Sequence, residues 1–350
     1  DIEADDPMAE DDIFRIYSMS KPITGVALMM LYEEGKFRLS DPVRRYIPEF
    51  AELKVAAGWG PNGPVLEGAD HPMTIRELMT HTAGLAYGIG DPNPVDRLYA
   101  SERVLDSGQT LKDMIDKLAE LPLRQQPGTR WTYSIAADVQ GYLVEVLSGQ
   151  PFDQFLQERI FDPLGMVDTG FHVPSEDHGR FAQVYGYDEN RALVAPPASD
   201  APAGSRPFLD PATLFSGGGG LVSTTMDYMR FCQMLLNGGE LDGVRLLSPT
   251  TVEMMTRNQL PRDMGEYAPG LGWGLDFSVV LDPVEAGSVS AGEYSWSGAA
   301  GTWFWIDPVQ ELVFLGMIQQ FGAGRPDIRS LSHRLTYQAI TESGAPPPGT

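Results

Sequence analysis

A single cysteine in 350 residues, Cys232, excludes an internal disulfide. It lies in the apolar helical pattern MDYMRFCQMLL, where a lone thiol packs as a small hydrophobe. Histidine is scarce too. His71, His81, His172, His178 and His333 show no HExxH or other tight ligand spacing, so no metal is expected. There is no GxSxG, which removes the nucleophile elbow of an α/β-hydrolase. There is no Walker A, and the GxG steps GWG and GIG lack the spacing of a dinucleotide fingerprint. The longest apolar runs, 22–32 and 312–318, reach about half of the roughly 20 residues a membrane span needs. They read as a core helix and a core strand.

Positive charge is the other shortage. Lys and Arg number 25 against 48 Asp and Glu, a formal net charge of −23. Such a surface repels phosphate backbones and anionic lipid, so neither nucleic acid nor a membrane is an expected partner. What remains is the make-up of a soluble enzyme, 42% hydrophobic and 21% charged, long enough for two lobes. A cytoplasmic location is favoured, and the sequence sets no oligomeric state.

Along the chain, 19–35 reads as a helix closed by Gly35, with apolar positions Ile23, Val26, Ala27, Met30 and Leu31. Residues 54–72 read as a Gly/Pro-rich loop. TIRELMTHTAGL opens with Thr74 and Glu77 in capping-box spacing. Helices are expected at 110–120, 134–148, 152–160, 225–237 and 326–342. The Pro/Ala/Asp/Gly stretch 186–211 is expected to be a wall or lid of the site. After Gly270 the texture turns short, aromatic and β-branched between Gly and Asp-Pro turns, which predicts neighbouring antiparallel strands. The fold class is therefore α/β of the α+β type, an antiparallel sheet flanked by helices with a mostly helical insertion. Residues 1–72 and 205–350 form the sheet domain and 73–204 the insertion.

Three places carry chemistry. Ser18 and Lys21 stand three residues apart at the mouth of the first helix and so share a face. The helix N-terminus favours an alkoxide there and disfavours an ammonium. To act as a base near neutrality Lys21 must fall about 3 units from roughly 10.4, which burial can supply. Of the five lysines only Lys21 has Ser or Thr three residues before it, yet by itself the step reads first as a helix cap and a solvated lysine. Tyr133, in PGTRWTYS, enters another helix where it can present its hydroxyl to a cleft. Trp296-Ser297-Gly298 closes a strand, and the small residues Gly298, Ala299, Ala300 and Gly301 let a ligand approach backbone N–H groups.

In this order and spacing the three sites resemble the serine β-lactamase and penicillin-binding-protein superfamily, and most closely its class C β-lactamase-like esterases, the family VIII carboxylesterases. HTAGL at 81–85, FDPLGMVDTGF at 161–171, GGGGLVSTTMDYMRF at 217–231 and AAGTWFWIDP at 299–308 extend the likeness from about residue 13 to 340. The resemblance implies a β-lactamase/transpeptidase-like fold and an acylated Ser18, with Lys21 and Tyr133 as proton-transfer partners. It implies an oxyanion hole from the backbone N–H groups of Ser18 and Ala299, and a substrate wall at Trp296, Ser297 and Gly298. Both Lys21 Nζ and Tyr133 Oη are then expected within about 3–4 Å of Ser18 Oγ.

The departures point to a substrate class. No lysine follows Lys117, so Trp296-Ser297-Gly298 stands where the family has Lys-Thr-Gly, and the cation for a substrate carboxylate is missing. Tyr133-Ser134-Ile135 replaces the β-lactamase Tyr-x-Asn and loses an amide partner. Both changes favour a serine ester hydrolase acting on neutral short-chain esters, with no cofactor and with slow β-lactam hydrolysis at most. The alternatives are an acyltransferase on the same scaffold, then a D-aminopeptidase, amidase or β-lactamase, then a non-catalytic relative. Such relatives place a helix and two or more strands before the nucleophile, whereas 17 residues precede Ser18 here. The expectation is a start set by truncation or processing, or a sheet without those strands.

Overall fold

A two-residue strand, β1 (Phe14–Arg15), runs into a tight turn at Tyr17–Met19 and then into helix α1 (Ser20–Glu33). The computed structural model describes residues 1–61, 63–89, 93–195, 208–322 and 325–341. Ala, Leu and Met favour α1 as a helix. Burial there is not confined to the expected stripe: every residue from Ser20 to Leu31 is buried. A helix enclosed on all sides needs no polar face, which is why its periodicity understates its depth.

Residues 54–68 correct the expectation of a loop. Strands β2 (Lys54–Gly60) and β3 (Gly63–Gly68) pair antiparallel, with a shift of register between Ala56 and Gly58. Its glycines hid a hairpin whose side chains, Trp59, Val65 and Leu66 among them, stand largely in solvent. Helix α2 (Ile75–Met79) has the expected capping box, with Thr74 and Glu77 bonded reciprocally. Helices α3 (Pro94–Ser101), α4 (Leu111–Ala119) and α5 (Ala136–Ser148) follow. The helix expected at 152–160 begins as one at Phe152–Leu156 and widens to a π-turn at Gln157–Phe161.

Strand β4 (Val222–Ser223) pairs with β1 and leads into α6 (Thr225–Leu236), with Cys232 buried as a free thiol. Five strands then form one antiparallel sheet: β5 (Leu271–Trp273), β6 (Ser278–Val280), β7 (Tyr294–Ser297), β8 (Trp303–Asp307) and β9 (Leu312–Gly316), each beside its sequence neighbour. The expected core strand at 312–318 is thus an edge strand, and it is half-buried. Helix α7 (Ile328–Gln338) covers the sheet face that carries Trp305, with His333 4.8 Å from that ring. The opposite face carries Phe304, which meets Tyr228 of α6 at 5.4 Å. Of the stretch 186–211, residues 186–187 and 193–194 form a short hairpin, and 196–207 lie outside the described residues. No helix among the described residues is long and apolar enough to cross a membrane.

The sheet's registration matters for the site. Trp296 lies opposite Phe304 and faces the helical core, while Ser297 lies opposite Trp303 on the α7 side.

Candidate active site

Ser18 is set by a strained turn. Tyr17 holds φ +43°, a conformation L residues seldom adopt, immediately before the serine. The turn is fixed from both sides. Ile16 N–H donates to Leu221 O at 3.2 Å, and Leu221 N–H donates to Ser20 Oγ at 3.2 Å. Gly298 abuts Ile16 O so closely that a Cβ there would sit 2.3 Å from it. That contact brings the end of β7, and with it the turn containing Ala299, against the Ser18 turn.

Lys21 is fully buried and its ammonium is completely hydrogen-bonded. Nζ donates to Ser18 Oγ at 3.3 Å, Tyr87 Oη at 3.3 Å and Gly218 O at 2.6 Å, three acceptors for three N–H bonds. Its pKa moves opposite to the sequence-based expectation. Burial does oppose the charge, but attraction to Tyr133, Tyr87 and Asp138 outweighs it and raises the value.

Gly218 reaches Lys21 because the SGGGG loop folds back on α5. Gly218 N–H and Ser216 Oγ both donate to Asp138 Oδ1, and a Cβ on Gly218 would sit 2.5 Å from Asp138 Oδ2. Asp138 is itself buried, which raises its pKa, while Lys21, Ser216 and Gly218 pull the other way.

Tyr133 approaches from the other side. Its ring centre is 4.7 Å from Lys21 Nζ, within cation–π reach, and 5.2 Å from the Tyr87 ring. Its hydroxyl is buried and meets no partner in full hydrogen-bond geometry among the described residues, although it lies near enough to Lys21 to help raise the lysine's pKa. Of the two expected contacts with Ser18 Oγ, the lysine's is a hydrogen bond at 3.3 Å. Trp296 packs 5.5 Å from Tyr133 and 4.6 Å from Trp273, edge to face, so the wall is aromatic where the family pattern has a cation. Ser297 turns away from this wall and lines a cavity of about 230 Å³ with Arg325, Arg329 and the start of α7. Ala299 is exposed, and its carbonyl accepts from Arg325 at 3.5 Å.

Four side chains at this site were not singled out from the sequence. Tyr87, Asp138 and Asp276 bear on Lys21, and His81 bears on Tyr133. His81 Nδ1 receives Ser134 N–H at 3.3 Å and lies 3.1 Å from Ser134 Oγ. That leaves the ring proton on Nε2, which is buried against the Tyr133 ring at 5.0 Å. Burial, and then Lys21, hold its pKa well below the ordinary value, so the ring is neutral. The sequence did carry a signal for Asp138: a carboxylate within the apolar helix SIAADVQGYLVEVL is either a solvated break in the stripe or a buried anchor.

Comparison with known proteins places the chain in one family. A Beta-lactamase family profile matches residues 1–337, and the chain belongs to that family. An uncharacterized protein of Mycobacterium tuberculosis is 41% identical, over 97% of this chain and 89% of its own. Esterase EstB of Burkholderia gladioli is 32% identical, over 87% of this chain and 76% of its own. Among solved structures, EstCE1, described as a hydrolase with promiscuous acyltransferase activity, superposes with a TM-score of 0.79 at 27% identity, covering 95% of this chain and 86% of that one.

Proposed function

We propose that this member of the beta-lactamase family is a carboxylic ester hydrolase working through an acyl-enzyme on Ser18. The observation that carries the reading is the Lys21 Nζ contact to Ser18 Oγ at 3.3 Å, inside a wall where Trp296 stands in place of a cation. The likeness to an esterase at 32% identity supports the same class.

In this reading Lys21 and Tyr133 share one proton as an ammonium–phenolate or amine–phenol pair. Ser18 Oγ attacks the ester carbonyl carbon and releases its proton to the pair as the new C–O bond forms. Negative charge gathers on the carbonyl oxygen, which the N–H groups of Ser18 and Ala299 receive. Tyr133 then protonates the leaving oxygen as the ester C–O bond breaks. Water reverses the sequence: it gives a proton to Tyr133, attacks the acyl carbon, and Ser18 recovers its hydrogen. Neutral, short-chain esters suit a wall of Trp131, Trp273 and Trp296 that offers no cation to a substrate carboxylate.

An alcohol that replaces water in the second half turns the same steps into acyl transfer. The likeness to EstCE1, a hydrolase with promiscuous acyltransferase activity, favours that branch. Intact-mass analysis after p-nitrophenyl butyrate or an alkyl phosphonate should add one acyl or phosphonyl group to the wild-type chain and none to Ser18→Ala. Ester turnover should drop by at least about a thousandfold in the variant. A wild type that neither turns over the ester nor gains mass overturns the reading, and turnover that survives in Ser18→Ala overturns the site. Product ratios with added methanol measure the transfer branch.

A further inference from the structure

Lys21 has two tyrosines beside it, Tyr133 and Tyr87, and both bear on its ammonium. Tyr87 Oη lies 3.3 Å from Nζ, and its ring centre is 5.3 Å from the same nitrogen. The segment that presents Tyr87 is braced in an unusual way. Both Tyr87 N–H and Gly88 N–H donate to Asp96 Oδ1, at 2.9 and 3.0 Å. The other oxygen of Asp96 accepts from Arg124 at 3.0 Å, in a pair whose carboxylate is 2% exposed. Gly88, at φ +79°, passes so close to Tyr99 that a Cβ would sit 3.0 Å from the Tyr99 Cβ. A buried ion pair is costly to form unless its remaining lone pairs are used, and here they are used on two consecutive backbone amides. Those amides are what direct the Tyr87 side chain toward Lys21.

We propose that Tyr87 is a positioning residue for Lys21: its hydroxyl holds the amine in its charged form one hydrogen bond from Ser18 Oγ, and the Asp96–Arg124 pair holds Tyr87. The inference rests on the acyl-enzyme reading for its kinetic consequence but not for its geometry. Three acceptors converge on Nζ, and they are unequal in what can replace them. Gly218 O is main chain and Ser18 Oγ is the reacting atom, so Tyr87 is the one bond that a side-chain change can remove without touching the chemistry. Its loss leaves an N–H of a buried ammonium unsatisfied, which favours release of that proton. The other titratable groups bearing on Lys21 stay in place: Tyr133 and Asp138 across from α1, His81 beside Tyr133, and Asp276 beneath the helix.

Tyr87→Phe removes the hydroxyl and keeps the ring. The alkaline limb of the kcat/KM profile for p-nitrophenyl butyrate should move about one unit lower, with kcat reduced roughly tenfold and KM within about twofold of wild type. Tyr99→Phe is the control. It deletes a neighbouring buried hydroxyl that bonds main chain at Pro122 and Ala86 and not Lys21, and it should leave the profile where it was. A second readout is independent of turnover. With five lysines in the chain, ζ-¹⁵N spectra resolve the Lys21 ammonium, whose titration midpoint should fall by about one unit in Tyr87→Phe and not in Tyr99→Phe. An unmoved Lys21 midpoint in Tyr87→Phe overturns the inference. A moved midpoint in a chain that turns over no ester sustains it and overturns the ester reading instead.

Discussion

Around Lys21 each donor has an acceptor, whereas around Tyr133 four buried donors have none: Tyr133 Oη, Trp131 Nε1, Trp296 Nε1 and His81 Nε2. One half of the site is held by hydrogen bonds and the other by ring packing. Trp131 stacks on Tyr133 at 6.2 Å, and His81, Tyr87 and Trp296 surround the same ring at 5.0, 5.2 and 5.5 Å. A buried hydroxyl without a partner costs roughly 1–3 kcal/mol, so natural structures seldom retain one without a use. The difference suits an acid–base pair. In the proposed mechanism the lysine stays where it is through the reaction, while the tyrosine oxygen changes partners between serine, leaving group and water. A hydroxyl already committed to a strong hydrogen bond would have to break it at each step.

Replacing each member of the pair by its nearest apolar shape tests that contrast. Lys21→Met and Tyr133→Phe should both lower kcat by about two to four orders of magnitude. Their stabilities should part. Lys21→Met strands Gly218 O and the Asp138 carboxylate and should cost about 1–3 kcal/mol in urea unfolding. Tyr133→Phe deletes an unsatisfied oxygen and should leave stability within about 0.5 kcal/mol or raise it. Equal losses of stability in the two variants would erase the distinction between the halves.

On the proposed reading the ring-packed half also sets substrate class. Trp296→Lys restores a cation where the aromatic wall now stands, at the expense of its edge-to-face contact with Trp273. Ester kcat/KM should fall roughly tenfold, while acylation by the carboxylate-bearing cephalosporin nitrocefin should rise relative to it. A ratio that does not move toward nitrocefin would mean that Trp296 does not decide the class.

These halves were not equally legible in the sequence. Ser18-x-x-Lys21 stands within one helical turn, so spacing alone brings the two side chains to one face, and the turn-rich run after Gly270 declared its strands. The hydrogen bonds that hold Lys21 charged come from Tyr87 and Gly218, 66 and 197 residues away. No local pattern reports a contact that chain folding creates. For that reason burial of Lys21 pointed toward a lowered pKa, while the assembled neighbours give the opposite sign. Glycine misled in the same way. In 54–68 it marked a loop that is a hairpin, whereas at Gly218 and Gly298 it marked close backbone contacts that order the site.

Beneath the bonded half lies a group whose effect on turnover should be the smallest and whose effect on stability is pH-dependent. Asp276, at φ +66° in the turn between β5 and β6, buries its carboxyl under α1, where a Cβ on Gly25 would sit 2.7 Å from Oδ2. Gln140 Nε2 donates to Oδ1 at 3.1 Å, and Oδ2 has no partner. Burial pushes the pKa up to about 8, against smaller opposing effects of Gln140 and Lys21. Unfolded, the same carboxyl titrates near 3.9. Between those values the native state keeps a proton that the unfolded chain has released, so this group stabilises most below about pH 4 and loses that contribution as pH rises toward 8. Asp276→Asn presents an amide N–H₂ where the protonated acid has its O–H, tolerates the left-handed backbone and does not titrate. Wild type should therefore show a steeper decline of unfolding free energy than the variant between pH 5 and 8, by up to about 1.4 kcal/mol per unit. Turnover at pH 6 should stay within about twofold, because the neutral side chain that Lys21 faces is then nearly the same. Parallel stability curves would mean that Asp276 is ionised in the folded protein, and the bonded half would then hold a second buried negative charge beside Asp138.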